Sequence, residues 1–375
     1  MRTSGARFTV SHVHDRERWN RIAEALDADV RQGFEWGELR RQAGWRPLRI
    51  ALLEGDEPVA ACALAARSVP GLGSLMYAAR GPLLRASSPG VIDALLAEIR
   101  RIGGRLRAIL LRISPDLYAT AQAQLAPLAR RGFRPIEDHF TTWNTPRFTQ
   151  PLDLRPSEEV LWQNVRRRFR EYIRAAPRRG ITVTTEDDEQ AVAGLYELLV
   201  NVAKLKRFPI RGAGYFRALF HEYRTTGRVT LLVARVDGAL AGGLLAVRLG
   251  RRSSMLYTSV RSEVGQTVNH HVAPALYWEY IRRARLAGCA VADFGPSGVA
   301  LEPRETDSGY GVYRFKQGFG CATVTFAPFH DMVFRPALYR LVRLGERGLL
   351  PSLWRLRAQG QHARARVALA LEPRA

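Results

Sequence analysis

The sequence predicts an α/β protein, with α+β mixed sheets, built as two tandem domains of one kind. Three observations predict it. Apolar runs of strand length alternate with longer runs at helical spacing. One strand–turn–strand pattern recurs 181 residues further along. A proline-rich stretch separates the two copies. A chain of 375 residues exceeds one small domain. Its 46% hydrophobic content supplies a core for each half.

The elements follow in order. Helical spacing predicts helices near 15–29, 35–43, 89–102, 117–131, 156–176, 187–206, 212–226 and 269–287. Strand-like runs include Arg49–Leu53, Val59–Ala65, Arg107–Ile113, Val229–Val236, Leu240–Leu249, Ser254–Tyr257 and Cys289–Phe294. In the repeat, Asp56 falls on Asp237 and Val59 on Leu240, an apolar strand meeting an Asp-containing turn and then a second strand. Two helices precede each hairpin, and a long helix and a strand follow it, at 89–113 and 269–294. The boundary is expected in Thr145–Pro151, ending at Arg155-Pro156. This gives a first domain over 1–150, a second over 151–316, and a basic helical tail over 332–375. Ser157 reads as an N-cap with Glu158 and Glu159 in the first turn.

Charge bounds the partners. The net charge is +22. Such a field attracts nucleic acid, anionic membrane or phosphorylated substrates. The plainer reading is a basic, arginine-rich surface. Seven arginines and one glutamate lie between 161 and 180. Cys62, Cys289 and Cys321 are far apart and form no CxxC pair, so buried free thiols in a reducing compartment are expected. No apolar leader follows Met1, and no apolar run approaches the roughly 18 residues of a membrane span. We expect a cytoplasmic monomer, with peripheral contact to anionic membrane open for the tail. That tail carries nine arginines against two glutamates after residue 332. Contact with membrane, contact with tRNA and packing on the first domain all fit it.

Lysine is nearly absent. Of 57 basic residues only Lys204, Lys206 and Lys316 are lysine. Lysine differs from arginine as a compact charge that loses its proton when buried. Where arginine serves as the general cation, a retained lysine points to a need for an amine. Lys316 lies among Tyr313, Phe315 and Phe319. The plainer reading pairs it with a carboxylate such as Asp293. Lys204 and Lys206 close a helix before Arg207, where they either clamp a diphosphate or simply complement the helix dipole. His270-His271 diverge on a helix and make no metal pair, and no other His/Cys/Asp/Glu spacing suggests a metal. No GxSxG supports a serine nucleophile.

Five segments in order resemble the FemABX family of aminoacyltransferases. They are Phe34-Glu35-Trp36-Gly37-Glu38-Leu39-Arg40 with Gly44-Trp45, Arg80-Gly81-Pro82, Ile173–Ile181, Ala292-Asp293-Phe294-Gly295 and Gly311–Gly320. The likeness runs from about 34 to 330. It implies two acetyltransferase-like (GNAT) domains without a coiled-coil insertion, the first completed by part of 317–345. It also implies transfer of an amino acid from aminoacyl-tRNA to an amine of a peptidoglycan precursor, lipid-linked or UDP-linked, with no cofactor. In that scheme Lys316 is catalytic. Arg40, Trp36, Arg207, Tyr215, Tyr257, Tyr313 and Phe315 bind the precursor, and Arg166, Arg167, Arg168, Arg170 and Arg174 are tRNA contacts. Two departures stand out. Arginine occupies position 40, where the family usually has lysine, and Ser114-Pro115 replaces an Asp-Pro.

Attack by an amine on an aminoacyl ester needs no enzyme nucleophile, because the ester is already activated. It needs positioning and a cation at the developing oxyanion. Rival readings are a CoA-dependent N-acyltransferase, a tRNA-dependent peptide former for a small natural product, and a non-catalytic RNA-binding protein. The loop Arg261–Asn269 has a single glycine where CoA enzymes carry Gln/Arg-x-x-Gly-x-Gly/Ala.

Overall fold

The computed structural model describes residues 8–85, 88–136, 145–206, 210–261, 266–297, 303–307 and 309–347. Two compact units result. The first holds the described residues up to Asn164 with Val247–Ser254 and Ala284–Tyr339. The second holds Val165–Ala246, Met255–Arg283 and the residues from Arg340.

The chain begins with β1 (Thr9–His12) and α1 (Arg16–Ala25), whose N-cap Asp15 accepts a hydrogen bond from the Arg18 amide at 2.7 Å. α2 (Phe34–Gln42), β2 (Arg46–Glu54), β3 (Glu57–Val69), β4 (Gly73–Ala79) and β5 (Leu83–Leu84) follow. β2 and β3 form an antiparallel hairpin closed at Gly55-Asp56. α3 (Pro89–Arg105) starts on the Ser88 cap with proline in its first turn. It buries Val91, Ile92, Leu95, Leu96, Ile99 and Ile102, one apolar stripe at helical spacing. That stripe lies in one core with Ile50, Leu52, Met76, Leu111 and Phe133. α3 is the crossover that lets β6 (Ala108–Ser114) pair parallel with β4. Gly73 is required at this point: its φ is +123° and a Cβ would lie 2.1 Å from the Arg107 carbonyl oxygen.

α4 (Ala126–Ala129), β7 (Phe133–Ile136), β8 (Phe148–Thr149), β9 (Pro151–Asp153), α5 (Glu158–Asn164) and α6 (Arg167–Ala175) continue the chain. Then come β10 (Ile181–Thr185), α7 (Glu189–Lys206), α8 (Ala213–Arg224), β11 (Val229–Val236), β12 (Ala239–Leu249), β13 (Arg252–Val260), α9 (Gln266–Leu286) and β14 (Val291–Asp293). α10 (Tyr310–Gln317), β15 (Val324–Thr325), β16 (Phe329–Val333) and α11 (Pro336–Arg347) complete the described chain.

The first sheet runs β1-β2-β3-β4-β6-β16-β7, with β5 paired to β3. The second runs β10-β11-β12-β13-β14-β9. The two repeat one plan. Each has an antiparallel hairpin, a strand followed by a helical crossover, and a parallel partner, β4–β6 or β13–β14. Each then takes an antiparallel strand from elsewhere in the chain, β16 against β6 and β9 against β14. The turn of the second hairpin, Asp237-Gly238, has left-handed φ values of 48° and 84°.

Two expected helices differ. The run 156–176 is divided into α5 and α6, with Arg166 extended at φ −49°, ψ 133°. Asn164 and β-branched Val165 are weaker helix formers than their neighbours, and Val165 turns inward. The run 117–131 is a 3-10 segment, Ala119–Leu125, and the short α4. Pro127 is tolerated only in a first turn, so the helix restarts there. The tail is described only to 347; 348–375 lie outside the described residues.

β16 is held by a buried pair. Arg112 Nε and Nη2 donate to the two Asp331 carboxylate oxygens, each at 2.8 Å, with Asp331 opposite Arg112 in the ladder. Tyr339 donates a further bond to Asp331 at 3.1 Å. Removing one partner strands the other charge in the core, at a cost of about 3–5 kcal/mol. Arg112→Met is therefore expected to lose that much stability in urea unfolding. Arg112→Met/Asp331→Leu should recover a large part of the loss.

Candidate functional site

The glycine-bounded signature folds as α10, with Gly309 before it and Gly318 after it. Lys316 points inward and is 4% exposed. Its Nζ donates to the carbonyl oxygens of Gly295 (3.0 Å) and Pro296 (2.8 Å), in the turn after β14. Asp293 is not in that pair. It accepts from Thr149 Oγ1 and from the Gly295 amide at 2.8 Å. Burial pushes the Lys316 ammonium down to about 8, while the Asp293 carboxylate and Cys321 pull the other way. Phe319 closes one side, with Phe315 at 5.5 Å and Phe294 at 5.9 Å between ring centroids. Gln317 reaches the Tyr313 hydroxyl at 2.7 Å, and Gln150 reaches the Tyr313 carbonyl at 3.4 Å. An ammonium has three donors, and two are taken here. The result is a desolvated cation fixed by main-chain dipoles, close to its own deprotonation.

Trp36 and Arg40 sit on α2. Trp36 is buried, and its indole N–H has no partner among the described residues. Arg40 lies half-buried over Trp45 (4.9 Å) and Tyr77 (5.6 Å). Arginine at this position thus uses its planar face, which lysine lacks. Ser114 receives the Arg80 amide at 3.0 Å and the Tyr77 hydroxyl at 3.4 Å, so a neutral acceptor replaces a charged one.

In the second unit, Tyr215 and Tyr257 meet edge-on at 6.4 Å, and Arg211 lies over Tyr215 at 4.5 Å. Burial raises the Tyr257 phenol well above its usual range, Tyr215 adds to this, and Arg211 opposes it. Arg207 lies outside the described residues. Arg166, Arg167, Arg168 and Arg174 are exposed on and just before α6, and Arg170 is half-buried. Arg167 pairs with Glu171 at 3.0 Å, and Arg168 bonds the Tyr172 hydroxyl. Tyr172 in turn stacks on His270 at 6.0 Å.

Sequence reasoning missed a charged network in the first unit. Arg252 donates to Asp116 at 2.5 Å and to Asp27 at 3.0 Å. Asp29 holds Arg31 at 2.9 Å, and these opposing charges lower the Asp29 carboxyl despite burial. Asp116 moves the other way, raised chiefly by desolvation. Arg80, fully buried, is lowered to about 10, first by desolvation and then by Arg31. A cavity of about 290 Å³ opens beside this network and Asp293. The three cysteines are buried free thiols. Among the described residues no helix is long and apolar enough to cross a membrane.

Comparison with known proteins gives one consistent picture. Residues 163–317 match the acetyltransferase (GNAT) domain family. A lipid II:glycine glycyltransferase of Staphylococcus haemolyticus is 21% identical, covering 84% of this chain and 90% of its own length. The Staphylococcus aureus (strain USA300) protein of that name is also 21% identical, covering 88% and 94%. Among solved structures, the crystal structure of FemX superposes with a TM-score of 0.81 at 19% identity, covering 89% of this chain and 99% of that one. A tandem GNAT protein from the clavulanic acid biosynthesis pathway gives 0.50 at 17% identity, covering 87% and 98%.

The displaced ammonium makes stability depend on pH. The ordinary lysine value is 10.5 and the folded one about 8. The folded value is the lower, so the charged form opposes folding below pH 8, by about 3 kcal/mol at 1.36 kcal/mol per unit. That penalty lifts as pH rises from 8 to 10.5. Between pH 7.5 and 10 the wild type should gain about 2 kcal/mol relative to Lys316→Met in urea unfolding. A pH-independent difference would show that Lys316 titrates normally.

Proposed function

We propose that this chain, a member of the FemABX family, moves an amino acid from aminoacyl-tRNA onto an amine of a peptidoglycan precursor. The observation that carries this reading is Lys316, a buried ammonium held by two carbonyls, with its third donor unassigned among the described residues. The acceptor amine attacks the ester carbonyl carbon, and the electron pair moves onto the carbonyl oxygen. As that pair returns, the bond to the tRNA ribose oxygen breaks, and the proton lost by the amine ends on the departing hydroxyl. One amide forms and one ester is consumed. Lys316 supplies the cation at the developing oxyanion in a low-polarity setting, and an ammonium near 8 can lend a proton to the ribose oxygen.

The remaining roles follow the same reading. Arg40 and Trp36 serve the phosphate and sugar side of the precursor, with Arg207. Tyr215 and Tyr257 present hydroxyls to it, and Tyr313 and Phe315 bind it beside Lys316. Arg166, Arg167, Arg168, Arg170 and Arg174 hold tRNA phosphates. A lipid-linked acceptor would add a surface for the basic tail; a UDP-linked one would not.

Lys316→Met is expected to cut transfer roughly 10²–10³-fold, as removal of one oxyanion donor does, with tRNA binding retained. Wild-type kcat should fall as pH rises through about 8, following loss of the ammonium proton. Unchanged turnover in Lys316→Met would refute the assignment. Saturable acetyl-CoA binding would instead favour the CoA-dependent reading. Arg167→Ala/Arg174→Ala should weaken tRNA binding and lower the slope of log K against log salt by about 2, near 0.7–0.9 per phosphate contact. Filter binding at several salt concentrations measures it.

A further inference from the structure

The cavity of about 290 Å³ beside Asp293 has no role in the scheme above. It sits at the lower end of small-molecule sites, which span roughly 300–1,000 Å³. Most of the charges that line it are committed to ion-pair partners. Asp27 is taken by Arg252, Asp29 by Arg31, and Arg155 by Asp153. Besides the Tyr118 hydroxyl, three polar groups are left among the described residues. Asp293 uses Oδ1 for both of its bonds, leaving Oδ2 open. Ser254 is 4% exposed, lines the cavity, and has no hydrogen-bond partner there. Arg251 stands exposed at the rim.

The sheet explains why these groups meet. Ser254 of β13 is the parallel partner of Asp293 of β14. Paired residues in a parallel ladder put their side chains on one face. A buried hydroxyl therefore stands next to an open carboxylate oxygen, and a guanidinium waits outside. Tyr118 and Phe326, 5.3 Å apart, add an aromatic wall. A simple anion would meet the carboxylate, and a bare cation would leave the guanidinium unused. A ligand with both an amine and a carboxylate satisfies all three groups.

We infer that this cavity holds the acceptor's amine-bearing residue, its ammonium on Asp293 and Ser254 and its carboxylate on Arg251; Asp293 Oδ2 takes one proton from the ammonium before the neutral amine attacks. The inference deepens the proposed transfer and rests on it for the identity of the acceptor. Asp293 is tied through the Gly295 amide to the turn whose carbonyls hold Lys316. The site for the amine and the seat of the cation thus share one short segment.

Calorimetry with three short peptides tests this. One ends in lysine with free ε-amine and carboxylate, one is its Nε-acetyl form, and one is its C-terminal amide. The wild type should bind the first, and acetylation should weaken binding about tenfold, the size of a charge-assisted hydrogen bond. Ser254→Ala and Asp293→Asn should each shrink that discrimination. Arg251→Gln should erase the preference for carboxylate over amide. Ser254→Ala leaves the Asp293 turn untouched, so it stays informative if Asp293→Asn unfolds. Equal binding of the three peptides, no saturable binding, or discrimination that survives in Ser254→Ala would each overturn the assignment. A transfer assay separates the two readings. Amine-dependent binding with no transfer from any charged tRNA leaves the cavity assigned and removes the tRNA donor. Transfer with a peptide KM indifferent to Ser254→Ala does the reverse.

Discussion

The Arg112–Asp331 pair is the constraint on which the candidate site depends. Both side chains are buried, and the two hydrogen bonds join positions 219 residues apart. A charge taken out of water is tolerated only with a well-placed partner. The pair therefore fixes β16 opposite β6 in a single register. That matters beyond the first sheet, because α10 lies between β14 and β16 in the chain. One end of the Lys316 segment follows from the Asp293 turn and the other leads to Asp331.

The same logic explains why a buried ammonium is sustainable. Among the described residues Lys316 makes no salt bridge; main-chain carbonyls at 3.0 and 2.8 Å hold the ammonium. Carbonyl dipoles stabilise the charge less completely than a carboxylate would, and the lowered ammonium reports this. A carboxylate in contact would hold the proton firmly and quench the field. Asp293 instead spends one oxygen on Thr149 and Gly295.

Local patterning made much of the fold legible. The repeat offset of 181 residues identified two hairpins that both sheets contain, because hairpins and their turns are set by near neighbours. The alternation passed over β4, whose Gly-Ser-Leu-Met-Tyr-Ala-Ala run is buried through most of its length and lacks a period. It also joined α5 to α6, since charge and apolar spacing continue across Asn164-Val165. In the site, Lys316 was visible through its scarcity and its flanking signature, and Asp293 through its Asp-Phe-Gly segment. Their actual partners were not. Carbonyl acceptors leave no mark in a sequence, and Arg252 finds Asp27 and Asp116 at separations of 225 and 136 residues. Ser254 was hidden for another reason: its meaning comes from the strand beside it.

The strand that completes the first sheet also sets a timetable. During synthesis β6 and β7 emerge long before β16, which begins 193 residues after Ile136. At roughly 5–20 residues per second, the gap stays open for about 10–40 s. Until Asp331 arrives, Arg112 is a charge in a half-built core, and the facing edges of β6 and β7 are unpaired. The nascent amino-terminal half therefore lacks the strand that completes its sheet. The first sheet closes only after β16 has left the ribosome.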